Sequence, residues 1–118
     1  MPFIDLDIFP EFEIVPGVRT RTPHGENIML SYARLDDSAD VPTHHHPHEQ
    51  AGIVVRGKLE LTIAGETKVL QPGEMYIVPG NVPHSARAIG GPVEVLDIFS
   101  PVREDYAKRL NSYMKPGG

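Results

Sequence analysis

Apolar and polar residues alternate along much of this 118-residue chain. The clearest stretch is 58–63, where Leu59, Leu61 and Ile63 are separated by charged or polar side chains. A period of two is typical of a β-strand that buries one face. Further short apolar stretches, several rich in β-branched residues, predict strands at 28–35, 51–55, 67–70, 75–78 and 93–99. The pattern therefore predicts an all-β protein.

Proline and glycine interrupt these stretches at short intervals. The chain has 12 prolines and 11 glycines, which mark turns rather than one low-complexity segment. The predicted turns lie at 16–17, 23–25, 56–57, 64–65, 71–73, 79–81 and 90–92. Short strands with such regular breaks predict an antiparallel sandwich or barrel. A chain of this length is expected to form a single domain over residues 1–118.

The two ends of the chain depart from the strand pattern. Residues 1–10 are apolar but interrupted, and they predict an arm or a first edge strand. Such a segment is expected either to cover a sheet edge of a second copy, which predicts a homodimer, or to pack on its own chain. At the other end a helix is predicted over 100–114, because Ser100 suits an N-cap, Pro101 suits the first helical position and Glu104 complements the helix dipole.

Composition narrows the classes of function. The hydrophobic fraction of 40% and the charged fraction of 23% are those of a globular protein. No apolar run is long enough to span a bilayer, and the start of the chain lacks a signal-peptide pattern, so no membrane partner is expected. The absence of cysteine excludes disulfides and thiolate metal sites and fits a cytoplasmic protein. A net charge of −5 argues against a nucleic-acid partner.

Histidine is the residue type that indicates chemistry here. Five of the six histidines fall within 44–48 and at position 84. In an extended strand His44 and His46 share a face, and two imidazoles at this spacing hold one ion if other ligands reach it. Gln50 and His84, which follow predicted bends, are the expected further ligands. Imidazole-rich sites suit one divalent transition metal, namely zinc, nickel, iron, manganese or copper, rather than magnesium or calcium.

Neighbouring residues leave alternatives open. His48 or Glu49 could take the place of Gln50, or line the same pocket. His45 is expected on the opposite face, in solvent or behind the ligands. His24, between a proline and a glycine, is expected to be an ordinary turn residue.

Both histidine segments resemble the two motifs of the cupin family. The first motif is His44-x-His46, three residues, Gln50, six residues and Gly57. The second is Gly73, five residues, Pro79-x-Asn81, two residues and His84. The resemblance implies a small jelly-roll barrel, or double-stranded β-helix, with a metal near its mouth. At the fourth ligand position Gln50 replaces the usual glutamate. Neutral donors leave the positive charge of the metal uncompensated, which favours an anionic substrate or a metal-bound hydroxide.

A second resemblance covers residues 96–106, which are similar to the end of the pectin-degradation cupins. Those proteins convert 4,5-unsaturated uronate monosaccharides, and the resemblance implies pocket roles for Asp97, Phe99 and Arg103. In the resulting hypothesis Arg103 holds the carboxylate of a small anionic sugar, Phe99 forms a wall, and Asp97 or His48 moves a proton. The chain would then be a metal-dependent lyase or isomerase of carbohydrate metabolism.

Three alternatives remain at this point. Asp97 and Arg103 could instead form a structural ion pair that holds the terminal helix on the barrel. The chain could be a cupin dioxygenase that uses iron or manganese. It could also be a non-catalytic cupin that binds a small ligand, because a fold does not decide function.

Overall fold

The computed structural model describes the backbone of residues 2–114 and the side chains of residues 2–111. Within this range the chain forms eight strands, a short 3-10 helix at Leu6–Ile8 and one α-helix. The strands are β1 (Phe12–Val15), β2 (Val18–Arg21), β3 (Met29–Leu35), β4 (Asp40–His44), β5 (Glu49–Ile63), β6 (Glu66–Leu70), β7 (Met75–Val78) and β8 (His84–Ser100), followed by α1 (Glu104–Met114). The predicted all-β class with a short C-terminal helix is confirmed.

All strand pairs are antiparallel, and β5 and β8 organise them. The main path through the sheet is β1-β2-β3-β8-β5-β6, while β4 pairs with β8 and β7 pairs with β5. β5 and β8 are 15 and 17 residues long and pair along most of their length. Because each long strand serves both halves of the sheet, the shorter strands pack around them as a jelly-roll barrel. No helix in the described part of the chain is long and apolar enough to cross a membrane.

Two predicted turns are instead bends within the long strands. Residues 56–57 lie inside β5 and residues 90–92 lie inside β8, so the prediction of separate strands there was wrong. The register of β5 against β8 shifts on both sides of Arg56, as at a β-bulge. Gly57 has φ +81°, and a Cβ there would lie 2.4 Å from the carbonyl oxygen of Pro92. Glycine therefore bends the strand at a barrel corner without ending it.

The core lies between the inner faces of the strands. Alternate residues of β3, β5 and β8 are buried, as the period-two pattern requires. Val54, Leu59 and Val93 are each at most 2% exposed. Burying such a side chain stabilises the fold by roughly 1.5–3 kcal/mol. Some of the core side chains, among them Leu59, also form the apolar wall of the polar site described below.

The ends of the chain pack on the outside. Residues 2–10 form an arm that contains the 3-10 helix and no strand, and Ile4 and Leu6 line a groove with Leu96. The helix begins at Glu104, four residues later than predicted. Ser100 is not its N-cap because it is the last residue of β8, where it pairs with Glu49.

Candidate metal centre

Strand pairing brings three histidines together. His44 ends β4 and lies opposite His84, the first residue of β8, while His46 follows in the loop before β5. Their candidate ligand atoms all lie within 4.8 Å of one another. His46 and His84 are buried and His44 is partly exposed. Three nitrogen donors this close together are suited to binding one metal ion.

The backbone fixes the tautomer of each ring. Every Nδ1 lies within hydrogen-bonding distance of a main-chain carbonyl oxygen, so Nδ1 carries the proton and Nε2 carries the lone pair. The acceptors are Pro42 at 2.9 Å for His44, His48 at 3.1 Å for His46 and Val82 at 2.8 Å for His84. Nε2 of His84 is buried and has no hydrogen-bond partner among the described residues. A buried acceptor without a partner is costly, and a bound cation would satisfy it.

Gln50 completes the donor set. Its side chain is buried on β5, and its Oε1 lies 3.2 Å from Nε2 of His46. Because Nδ1 of His46 is protonated, this contact brings two lone pairs face to face, an arrangement that a cation between them stabilises. The amide of Gln50 also hydrogen-bonds to Asp97, so the amide nitrogen is already engaged. Three imidazoles and one amide oxygen therefore fit a divalent transition metal.

Burial keeps the imidazoles neutral. It lowers the pKa of His46 to about 4, with the nearby positive charge of Arg103 as the next cause. Burial also lowers the pKa of His84, although the hydrogen bond to Val82 opposes that shift. A metal requires the neutral form of histidine as its ligand. Both rings are thus in the form that binds metal at neutral pH.

Asp97 lies on β8 beside Gln50. The hydroxyl of Tyr76 donates to Oδ1 of Asp97 at 2.5 Å. Burial raises the pKa of Asp97 to about 6, against the opposing effects of the hydrogen bonds from Tyr76 and Gln50. Burial, followed by the charge of Asp97, raises the pKa of Tyr76 well above its ordinary value, so Tyr76 remains a donor. Asp97 is therefore a carboxyl group able to exchange a proton near neutral pH.

Arg103 lies between two aromatic rings at the start of the helix. Its guanidinium carbon is 3.9 Å from the ring centroid of Tyr106 and 5.1 Å from that of Phe99. Its side chain is only 12% exposed, and its ion pair is with Asp105, at 2.9 Å. The alternative of an Asp97–Arg103 ion pair was wrong, because the short loop after β8 directs the guanidinium to Asp105 instead.

These groups line one cavity inside the barrel. Its volume is about 80 Å³, below the roughly 300–1,000 Å³ of sites for drug-sized ligands. Apolar side chains such as Val95 and Leu61 form the walls. The polar lining includes His44, Gln50, Tyr76, His84, Asp97, Arg103 and Tyr106. Phe99 also lines the cavity, and its ring centroid lies 5.6 Å from that of His46.

The remaining predicted candidates lie elsewhere. His48 is partly buried with its ring 5.4 Å from that of His46, and it is not among the residues that line the cavity. His45 and Glu49 are exposed. His24 is exposed and forms an isolated β-bridge with Met29 rather than a turn, and its Nδ1 lies 3.0 Å from the carbonyl oxygen of Gly25.

Sequence reasoning missed Tyr76 and Tyr106. Tyr76 lies in a predicted strand, but alternation does not say which face of 75–78 points inward. Tyr106 follows Arg103 by three residues, a spacing that brings two side chains together on a helix. That spacing is the signal by which Tyr106 could have been found.

Comparisons with known proteins agree with this geometry. A family model described as "Cupin domain" matches residues 31–99. The pectin degradation protein KdgF of Dickeya dadantii is 28% identical over 106 residues, which cover 88% of this chain and 96% of that protein.

Two solved structures are similar over nearly the whole chain. KdgF from a Halomonas species has a TM-score of 0.83 and 30% identity, with 90% of this chain and 98% of that chain covered. An RmlC-like cupin from Shewanella frigidimarina has a TM-score of 0.84 and 28% identity, with 90% and 96% covered. Together with the family match, they confirm the resemblance seen in the two histidine motifs. The chain belongs to the cupin family.

Proposed function

We propose that this cupin is a metal-dependent enzyme that converts 4,5-unsaturated uronate monosaccharides to a linear keto sugar. The observation that carries the proposal is that Asp97 and Arg103 line the same small cavity as His44 and His84 without forming an ion pair with each other. The cavity thus offers a cation for a carboxylate and a separate group for proton transfer. The two KdgF relatives, one of which is described as a pectin degradation protein, support an acidic sugar as the substrate.

Substrate binding depends on Arg103 and the aromatic rings. Nε and Nη2 of Arg103 bond to Asp105, and Nη1 donates to the hydroxyl of Tyr106. Two of the five N–H donors of the guanidinium remain for a substrate carboxylate. Phe99 provides an apolar surface for the sugar ring. His44, His46, Gln50 and His84 would hold a metal that acts as a Lewis acid toward substrate oxygens.

Asp97 supplies the proton transfer in this proposal. The substrate is an enol ether, and its opening needs a proton on C4 and a hydroxyl group on C5. Water supplies both groups. The proton of the new C5 hydroxyl then passes to the ring oxygen as the bond between C5 and the ring oxygen breaks, which leaves a ketone at C5 and a hydrated aldehyde at C1 of the open chain. A carboxyl group whose pKa burial raises to about 6 exchanges protons well at neutral pH. Asp97 suits this role better than His48, which does not line the cavity.

The direct test follows the loss of ultraviolet absorbance of an unsaturated uronate. The wild-type protein is expected to remove the absorbance, and Asp97→Asn is expected to abolish turnover even at a metal concentration that saturates the site in both proteins. Asp37→Asn, on the exposed surface, is the matched control and should behave as wild type. Loss of absorbance at the wild-type rate in Asp97→Asn would contradict the role of this carboxyl group.

The neutral ligand set also suits a dioxygenase that uses iron or manganese. Oxygen consumption with candidate substrates would favour that function over ring opening. Tight binding of a uronate without turnover would instead favour a ligand-binding cupin. The metal itself can be identified by elemental analysis of protein purified without a tag.

We also propose that the protein forms a homodimer through the outer face of β3, β8, β5 and β7. Strand register aligns two apolar rows across this face, and Met75 and Ile77 are 73% and 64% exposed. The rows are Leu30, Ile98, Ala51 and Ile77, and beside them Tyr32, Leu96, Ile53 and Met75. Ile4 and Leu6 of the N-terminal arm lie beside Leu30, Tyr32 and Leu96 at one side of this face. A sheet face turned to water is usually polar, so the apolar part beyond the arm, toward Met75 and Ile77, indicates an interface.

Opposite charges at the two ends of the outer face of β5 favour a second copy of this chain as the partner. Glu49 and Arg56 are both exposed and lie at opposite ends of the outer face. A two-fold axis across the strands brings Glu49 of one copy against Arg56 of the other. Ile53→Asp should give a monomer in analytical ultracentrifugation, and Val69→Asp, on exposed β6, should not. Glu49→Arg and Arg56→Glu should each weaken the dimer, and the double variant should restore it. A dimer that tolerates Ile53→Asp would contradict this interface.

A further inference from the structure

A continuous set of contacts runs from Tyr76 to the histidines. We infer that Tyr76 is a positioning residue that acts through Asp97 to direct the carbonyl oxygen of Gln50 toward the metal, and that Gly52 provides the space for this arrangement. The inference rests on the metal centre of the proposed function and does not depend on the identity of the substrate.

Gly52 lies directly between the two interacting side chains. On β5 it pairs with Tyr76 of β7 on one side and with Asp97 of β8 on the other. A Cβ at position 52 would lie 2.3 Å from Cζ of Tyr76 and 2.5 Å from Oδ1 of Asp97. No left-handed backbone conformation explains this glycine. The missing side chain is therefore what allows the tyrosine to reach across the strand.

The hydrogen bonds have a fixed direction. Tyr76 can only donate to the carboxylate, because burial keeps its hydroxyl protonated. Asp97, restrained by this bond, accepts a second hydrogen bond from the amide of Gln50. An amide that donates through its nitrogen presents its oxygen on the opposite side, and Oε1 of Gln50 indeed lies next to Nε2 of His46. The hydroxyl of Tyr76 thus selects one of the two orientations of the amide.

Removal of the Tyr76 hydroxyl should therefore weaken metal binding. In Tyr76→Phe the carboxylate loses one restraint, and the Gln50 amide is free to turn its NH₂ group, which has no lone pair to donate, toward the ion. Residues behind the ligands typically change metal affinity by 10–100-fold. We expect zinc to bind about tenfold more weakly to Tyr76→Phe than to the wild type.

Calorimetric titration of the full chain with zinc tests the inference. Tyr32→Phe is the matched control, because the hydroxyl of Tyr32 also donates to a carboxylate, Oε1 of Glu94 at 2.7 Å, but lies outside the cavity. Its zinc affinity should stay within about twofold of the wild type. Circular dichroism and the melting temperature of the metal-free variants show whether the fold is kept.

Two glycine-to-alanine substitutions, one of them a control, provide the second test. Gly52→Ala should weaken zinc binding as Tyr76→Phe does, because the added methyl group displaces the tyrosine ring. Gly25→Ala is its control, since a Cβ at that position would meet nothing closer than 4.0 Å. These variants decide the question if Tyr76→Phe fails to fold.

A double variant separates positioning from general loosening of the site. In a Gln50→Ala background the Tyr76→Phe substitution should have no further effect on zinc affinity, because the amide it orients is gone. Equal losses in both backgrounds would overturn the inference, as would wild-type affinity in both Tyr76→Phe and Gly52→Ala. A wild-type protein that binds none of the divalent transition metals would overturn the metal centre and this inference together.

Discussion

His44 pairs directly with His84 across β4 and β8, and the centroids of the two rings lie 4.2 Å apart. One ring is contributed by each of the two histidine motifs, which are 40 positions apart along the chain. Because backbone hydrogen bonds hold the two strands in register, these ligands are brought together by the fold itself. The site is therefore preorganised, and metal binding needs little rearrangement.

His84→Ala is expected to remove metal binding. The variant loses a buried nitrogen that has no other hydrogen-bond partner among the described residues. The loss of affinity should exceed the roughly 10–100-fold effect of residues behind the ligands. Elemental analysis after dialysis against a weak chelator measures the bound metal. His45→Ala, an exposed neighbour of the ligands, is the control and should retain the wild-type metal content.

Gln50→Glu is expected to make the fold more dependent on metal. Without metal the new carboxylate lies next to Asp97, and the repulsion of two like charges lowers stability. A bound cation removes that repulsion, so metal should raise the melting temperature more than in the wild type, by about 4 °C for each additional 1 kcal/mol. Differential scanning fluorimetry with and without zinc measures both values. An identical metal-induced shift in the two proteins would show that position 50 does not contact the ion.

Arg103→Lys is expected to weaken substrate binding. Lysine keeps the charge but loses the planar group that stacks on Tyr106 and binds a carboxylate with two donors. The KM for an unsaturated uronate should rise about tenfold, equivalent to ~1.4 kcal/mol. Arg109→Lys is the matched control, because Arg109 also stacks on an aromatic ring, that of Phe12 at 4.8 Å, but does not line the cavity. A similar KM in both variants would argue against Arg103 as the carboxylate-binding group.

Glu11 makes the free energy of unfolding depend on pH in the acidic range. It accepts two hydrogen bonds of 2.9 Å from Arg34, and these contacts lower the pKa of Glu11 below its ordinary value of 4.5. A lowered pKa stabilises the fold above pH 4.5, and this contribution is lost as the pH falls through the lowered value.

Glu11→Gln should therefore be less stable than the wild type by about 1 kcal/mol at pH 7. The difference in unfolding free energy between the two proteins should shrink as the pH falls below 4.5. It should vanish once Glu11 is protonated in the folded wild-type protein as well. Urea unfolding at several pH values measures it, with the exposed Glu26→Gln as control. A difference that stays constant with pH would mean that the ion pair is not its cause.

The donors of the site could be recognised in the sequence because motif and alternation agree. His44 and His46 are separated by one residue, and the spacing to Gln50 and His84 matches the cupin motifs. The strands were also predictable where a buried face alternates with an exposed one. Motif spacing and alternation both involve residues close together along the chain, so both can be recognised in a single sequence.

The features that could not be predicted depend on contacts between segments that are distant along the chain. Gly57 and Gly91 were interpreted as turn residues, but β5 and β8 continue through them because each bends against its neighbour. The partner of Arg103 was equally undetermined, since Asp97 and Asp105 are both near it along the chain. Alternation could not assign Tyr76 to the interior either, because the choice of face is made by the pairing of β7 with β5.

The pairing of β8 also sets an order of events during synthesis. β8 joins β3, β4 and β5, so segments near both ends of the barrel must meet before His84 reaches His44. Sheets built from such distant pairings fold slowly, in milliseconds to seconds. A chain that has emerged from the ribosome only as far as β7 would hold His44, His46 and Gln50 but no complete site. The complete ligand set is thus assembled late, when β8 pairs with β4 and closes the barrel.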